Sequence, residues 1–161
     1  MKSLLAPFIA LLLAACASYS GYGLRPGAST EADVVKAMGK PAMEFKTDAG
    51  RDLIFPRGPL GTQTFIAHLD GRDTLIGIEP VLNEEHFYRI REGMTRDQVL
   101  RMIGPPGDTT NFGPRTGNVA YTYRFQDGWG YLSDFSVTFG PDGLVRSKIA
   151  IRIDPGDSGR K

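Results

Sequence analysis

Few residues of this 161-residue chain are of types that do chemistry: one cysteine, two histidines and scattered hydroxyls and carboxylates. A catalytic centre needs a constellation, with nucleophile, base and orienting group brought together. His68 stands near Asp70, and His86 stands beside Glu84 and Glu85. No His-x-x-x-His or carboxylate–His spacing typical of a zinc site occurs, so both histidines read as structural polar residues. Ser29, Thr30 and Thr95 precede apolar helical periodicity and read as helix caps rather than nucleophiles. Asp127 and Asp134 flank a turn and read as solvated carboxylates. The expectation is a protein that is not an enzyme, with no metal, no cofactor and no small-molecule substrate.

Cys16 is different. Lys2 is followed by the apolar run 4–13, which closes on Leu13-Ala14-Ala15-Cys16. A charged start, a short apolar run and small residues at the cut make a secretory signal, too short for the ~20 residues of a membrane span. With the cysteine just after the small residues, the pattern is that of a bacterial lipobox. An ordinary signal would make Cys16 an accident, yet it is the only cysteine and sits where lipidation would use it. The expectation is cleavage after residue 15. Cys16 then carries a diacylglyceryl thioether and a further acyl chain such as palmitate. Two or more chains hold a protein durably on a bilayer. Ala17, rather than Asp, follows the cysteine and points to the outer membrane, periplasmic face.

Composition narrows the partners. Without residues 1–15 the chain has 18 Lys+Arg against 18 Asp+Glu, because Lys2 is the only charge removed. No basic excess exists to neutralise phosphates, so no nucleic-acid partner is expected. Once Cys16 is acylated no internal disulfide can form, and the fold must stand on its apolar core.

The elements that hold these residues come in two similar sets. Thr30, Val34, Gly39 and Pro41 correspond to Thr95, Val99, Gly104 and Pro106. Each set writes a short helix with both ends marked. Thr95 with Gln98 forms a capping box, and Thr30 with Asp33 a weaker one. Val34, Val35 and Met38, like Val99, Leu100 and Ile103, share one helix face. Gly39 and Gly104 suit a left-handed C′ position, and the following prolines stop the helix. A phosphate loop is excluded, since its glycines precede a helix rather than follow it. Strands with a two-residue period follow: Tyr121, Tyr123 and Phe125; Phe135, Val137 and Phe139; and Val145 to Ile153 after the Gly140-Pro141-Asp142-Gly143 turn. The first set has Leu53-Ile54-Phe55, then Phe65, Ala67 and Leu69, then Leu75 after a turn at Asp70-Gly71-Arg72-Asp73. Asn83 to Ile90 reads as a capped helical turn with Phe87 and Ile90 facing the core.

The predicted fold class is α+β. It comprises two tandem copies of a short helix plus an antiparallel three-stranded meander, with helices on one sheet face. The predicted division is signal 1–15, lipidated tether 16–23, first repeat 24–82, second repeat 83–153 and flexible tail 154–161. The pattern buries one sheet face and leaves the other polar, with Arg124, Thr138, Lys148 and Arg152 on it.

The lipobox, the Gly-Met-Thr-x-x-x-Val-Leu-x-x-x-Gly-x-Pro motif at residues 93–106 and the meander after it together resemble the SmpA/OmlA family of BamE-like lipoproteins. The resemblance covers residues 83–153 and, more weakly, 24–80. It implies an outer-membrane lipoprotein that acts by binding protein, as an accessory of β-barrel assembly or envelope integrity, with the barrel-assembly machinery or another envelope protein as partner. The family stretch Tyr-Arg-Pro-x-Ile-x-Gln-Gly ahead of the domain is reduced here to Tyr22-Gly23-Leu24-Arg25-Pro26-Gly27, so no partner-binding residue carries over from it. Paired helix-and-sheet units also resemble the secreted β-lactamase inhibitor protein. That implies, as the alternative, a periplasmic inhibitor or sensor gripping a hydrolase through its sheet face, on fold analogy alone.

The candidate partner-binding residues are Trp129 and Tyr131, in the loop Gln126-Asp127-Gly128-Trp129-Gly130-Tyr131, and Arg57 in the corresponding first-set loop. Aromatics and arginines are over-represented at binding centres. A tryptophan also suits a lipid interface, or folds back to cap a sheet. Cys16→Ser is expected to release the protein from the outer-membrane fraction or leave it unprocessed. Wild-type protein found in the soluble periplasm without detergent would contradict the lipid anchor.

Overall fold

The computed structural model describes residues 21–57, 61–113 and 115–153. The expected signal, Cys16, residues 16–20 of the expected tether and the tail 154–161 lie outside the described residues. The elements run α1 (Glu31–Met38), β1 (Met43–Lys46), β2 (Gly50–Pro56), β3 (Thr64–Asp70), β4 (Leu75–Pro80), α2 (Glu84–Arg89), α3 (Arg96–Ile103), β5 (Asp108–Asn111), β6 (Val119–Gln126), β7 (Leu132–Phe139) and β8 (Val145–Arg152). The class is α+β. Two antiparallel sheets form, in the orders β1-β2-β3-β4 and β5-β6-β7-β8. Each has one strand more than the three-stranded meander expected from sequence. The additions, β1 and β5, are four-residue edge strands. Four residues are too few for periodicity to announce a strand, and all of β5 is exposed.

Local chemistry sets the helices. Thr30 caps α1 and Thr95 caps α3, each closing a capping box with Asp33 or Gln98. The amide and hydroxyl of Thr30 hold the Asp33 carboxyl below the usual carboxylate range. Both helices end on glycine, Gly39 at φ 84°, ψ −170° and Gly104 at φ 79°, ψ −169°. This is not the left-handed helical C′ geometry expected from sequence. It is the mirror-extended region that essentially only glycine enters. The turn before each helix is tied to the last strand of the sheet that follows it. Leu75 N–H donates to Ser29 O and Val145 N–H to Met94 O, both at 2.8 Å.

Two cores result. Val34 and Met38 of α1 pack with Leu53, Phe55, Phe65, Ala67, Leu69 and Leu75 on one face of the first sheet. The other face of that sheet is not solvated. Its Ile54 and Ile66, with Met43 and Phe45 beside them, join the second core. That core holds Val81, Phe87 of α2, Ile90, Val99 and Ile103 of α3, and Tyr123, Phe125, Phe135, Val137, Phe139 and Val145 of the second sheet. The layers therefore run α1, first sheet, α2 with α3, second sheet. The α3–first sheet contact is close. Arg101 lies 4.3 Å over the Phe45 ring, and a Cβ on Gly104 would stand 2.9 Å from both Ile54 Cγ2 and Thr64 Cγ2.

In the second sheet the strand faces follow the expected alternation up to β8. There the register shifts between Thr138 and Phe139: Phe139 pairs Val145, but Thr138 pairs Ser147. The extra residue is a β-bulge, and beyond it every side chain changes face. Lys148 and Arg152 therefore do not join the outer polar face as predicted. Lys148 turns toward α2, where its Nζ donates to the carbonyls of Phe87 (2.7 Å), Tyr88 (3.0 Å) and Ile90 (2.6 Å). An ammonium there satisfies carbonyls that a helix C-terminus leaves without partners. Ile149 and Ile151 go the other way, outward. Arg124 and Thr138 stay on the outer face as expected, with Arg124 Nε 3.0 Å from Asp134 Oδ1.

Gly39→Ala and Gly104→Ala both force a side chain into the glycine-only region and should each cost about 1–3 kcal/mol. Gly104→Ala should cost about 1–3 kcal/mol more, because its methyl meets Ile54 and Thr64, whereas nothing lies within 4 Å of a Cβ on Gly39. Denaturant unfolding of the two variants checks this. Equal losses would contradict the packing of α3 on the first sheet. Ile103→Ala, in the shared core, should cost about 2–5 kcal/mol.

Candidate binding surface

The β6–β7 hairpin loop is built around one carboxylate. Asp127 Oδ1 accepts from the amides of Trp129 (3.0 Å) and Tyr131 (2.8 Å). Its Oδ2 accepts from Arg152 Nε at 3.0 Å and Nη2 at 2.5 Å. Gly130 N–H closes the turn onto Asp127 O at 2.8 Å, and Gly130 takes φ 80°, which favours glycine. Glu84 Oε1 accepts from Gly128 N–H at 2.8 Å, fastening the loop to α2. The Arg152 guanidinium then lies 4.1 Å over the Tyr131 ring. Burial raises the Asp127 carboxyl, but the Arg152 hydrogen bonds and the Tyr131 and Trp129 amides more than offset this and hold it below the usual 3.8.

This frame presents Trp129 to solvent, 84% exposed. It does not fold back over the sheet. Tyr131 is exposed beside it. Sequence reasoning found these two and missed three others: Leu132 (39% exposed), Ile149 (56%) and Ile151 (57%), all on the outer face of the second sheet at its β7–β8 side. The signal for the isoleucines was there, as alternation, but the bulge reverses its meaning. An aromatic tip next to exposed aliphatics on a rigid hairpin is a surface suited to burial by a protein partner. Arg57 is not part of it. It belongs to the first sheet, where Nη1 donates to Met38 O at the end of α1 (3.0 Å) and the guanidinium lies 5.8 and 6.0 Å over Phe55 and Phe65.

The residues weighed for chemistry are engaged structurally. Asp127 pairs with Arg152 and Asp134 with Arg124. Ser29 Oγ accepts from Arg25 N–H. The histidines, far apart in sequence, share a neighbour: His68 Nε2 is 3.2 Å and His86 Nε2 3.7 Å from Glu79 Oε1. His68 Nδ1 also meets Asp52 Oδ1 at 2.6 Å, and His86 Nδ1 meets Asn83 Oδ1 at 3.0 Å. The cluster ties the first sheet to α2. Among the described residues no group of three or more His, Cys, Asp or Glu is arranged to hold a metal ion. Among them, too, no helix is long and apolar enough to cross a membrane.

The described residues form helices packed on two antiparallel sheets, the second of which carries an exposed aromatic hairpin. Residues 80–149 match the model of the outer membrane protein assembly factor BamE domain. A solved structure described as a putative osmotically inducible lipoprotein, OsmE, is 24% identical over 44% of this chain and 72% of that chain, with a TM-score of 0.38. No curated protein matches. The family match spans α2, α3 and nearly all of the second sheet, including the whole hairpin.

Trp129→Ala should change stability by less than about 0.5 kcal/mol, as for an exposed side chain without structural contacts. A loss of several kcal/mol would make Trp129 core. The Asp127 clamp should depend on pH in one direction. Because its folded pKa lies below the unfolded value, its contribution is present above pH 3.8 and is lost as pH falls through the lower folded value. Anisotropy of the single tryptophan should therefore drop only in that acid window, and Asp127→Ala should lower it already at neutral pH.

Proposed function

We propose that this protein is a lipoprotein anchored through Cys16 to the periplasmic face of the outer membrane. It works there by binding protein, as an accessory of β-barrel assembly or envelope integrity. The observation that carries this reading is that residues 80–149, which match the assembly-factor domain, bear the exposed Trp129, Tyr131, Leu132 and Ile149, with Ile151 two residues beyond them. In that reading Trp129 is the centre of the contact. A large aromatic buried by a partner contributes about 2 kcal/mol or more, whereas a surface ion pair typically contributes about 0–1. The hydrolase-inhibitor alternative has less support, because the first sheet has both faces covered and cannot contribute to a two-sheet grip.

Affinity purification of the lipidated protein from gently solubilised membranes tests the reading. Components of the barrel-assembly machinery should co-purify, and Trp129→Ala or Ile149→Asp should reduce their recovery at unchanged stability. Recovery of one soluble periplasmic hydrolase instead would favour the inhibitor. Undiminished recovery with both variants would remove this surface from the contact.

A further inference from the structure

The second sheet ends on β8, which pairs with β7 on one side and, among the described residues, with no strand on the other. Ile153 N–H donates to Leu132 O at 2.9 Å. Main-chain groups alternate sides along a strand, so those of Ile151 and Ile149 face β7 as well. The N–H and C=O groups of Lys148, Ala150 and Arg152 therefore point to the open edge. The start of β8 is closed on that edge, where Gly93 N–H donates to Val145 O at 2.9 Å and Val145 N–H to Met94 O at 2.8 Å. Beyond Ser147 no main-chain group of the described residues closes it.

The core side of the same edge is also open. Ala150 lies opposite buried Phe135, on the core face, yet it is exposed. Helix α2 covers the sheet as far as Phe135, whose ring stacks on Phe87 at 3.9 Å between centroids. Beyond that a groove of about 270 Å³ runs along β8, lined by Phe87, Tyr88, Phe135 and Ala150. A cavity of about 150 Å³ already accepts a benzene ring. An extended chain laid on such an edge gains main-chain hydrogen bonds, and pockets for its alternate side chains give specificity.

Charge selects the occupant. The charged residues of β8 are Arg146, Lys148 and Arg152, all cations. Two copies of this chain paired antiparallel about Ala150 would set Lys148 of one copy opposite Arg152 of the other, twice over. Like charges directly opposite destabilise a strand pair. A strand with carboxylates at those two positions meets attraction instead.

We propose that β8 is a docking edge on which an extended segment of a partner protein adds a fifth strand to the second sheet. The segment carries a large apolar residue opposite Ala150, in the groove, and a carboxylate two places to either side, opposite Lys148 and Arg152. Its intervening residues lie on the outer face beside Ile149 and Ile151. This rests on the protein-binding reading above and gives that contact a main-chain component; it depends neither on the lipid nor on which envelope protein supplies the strand.

A fluorescently labelled peptide, Thr-Glu-Val-Phe-Val-Glu-Thr, titrated into the full-length protein in detergent tests this by anisotropy. It should bind, and hydrogen exchange at the amides of Lys148, Ala150 and Arg152 should slow. N-methylating one alternating set of peptide amides (Glu with Phe, or the two Val) should weaken binding about tenfold or more and the other set little, because only one set faces β8. Replacing Phe by Ser, or both Glu by Lys, should weaken it as well. Ala150→Pro removes an edge N–H that β7 does not use, and should abolish binding at unchanged melting temperature. If that variant unfolds, the methylation series decides. No binding, equal effects of the two methylation sets, or unchanged exchange along β8 overturns strand addition. Binding lost in Trp129→Ala but kept in Ala150→Pro overturns the edge and leaves the protein-binding reading standing. A dimer of this chain that Ala150→Pro dissolves overturns the choice of occupant. Peptide binding with the alternating pattern, but no barrel-assembly component co-purifying, supports the edge and fails only the assembly reading.

Discussion

Helix α3 lies between two sheets, and the rest of the architecture depends on how it fits there. On one side Val99 and Ile103 enter the core of the second sheet; on the other Gly104 and Arg101 lie against Ile54, Thr64 and Phe45 of the first. A helix that packs on both sides needs a close approach on at least one of them. The missing side chain of Gly104 provides it, and the same glycine ends the helix in a backbone region closed to other residues. Tyr123 seals the junction by donating its hydroxyl proton to Gly104 O at 3.1 Å, and its burial pushes the phenol well above its ordinary pKa. One residue therefore serves helix termination and layer packing together.

That arrangement explains why the two sheets have different outer faces. The first sheet is an internal layer, so its second face carries Ile54 and Ile66. The second sheet is the last layer, and the corresponding positions are Thr122 and Ser136, whose hydroxyls meet at 3.0 Å. Stacked architectures need a terminal layer with a polar outer face to stay soluble. Against that polar background the exposed Leu132, Ile149 and Ile151 stand out, because solubility alone would not place them there. They lie beside a hairpin held by Asp127, Arg152 and Glu84, a fixed setting in which covering them would cost little order.

Polar contacts join the layers where apolar burial runs out. Lys148 closes the end of α2 from the edge strand β8, and the His68–Glu79–His86 cluster links β3 and β4 to α2. Each satisfies groups that would otherwise lose water without a partner, which is the physical requirement on any buried polar atom.

The sequence alone determined what depends on neighbours along the chain. Capping boxes at Thr30 and Thr95, glycine–proline stops, the Asn83-capped helical turn and the alternation of β6 and β7 are all written within a few residues, because hydrogen bonds and side-chain periods of single elements are local. The likeness of residues 80–149 to an assembly-factor domain was legible for the same reason, through a motif at fixed spacing. The tertiary structure decided the rest. Whether Ile149 faces core or solvent turns on one extra residue opposite Phe139, which a two-residue period cannot reveal. The short strands β1 and β5 exist because β2 and β6 offer them an edge. The covering of the first sheet by α3, the meeting of His68 with His86 and the placement of Arg57 against α1 join residues remote in sequence. Their geometry is set by how layers pack, and no spacing along the chain encodes it.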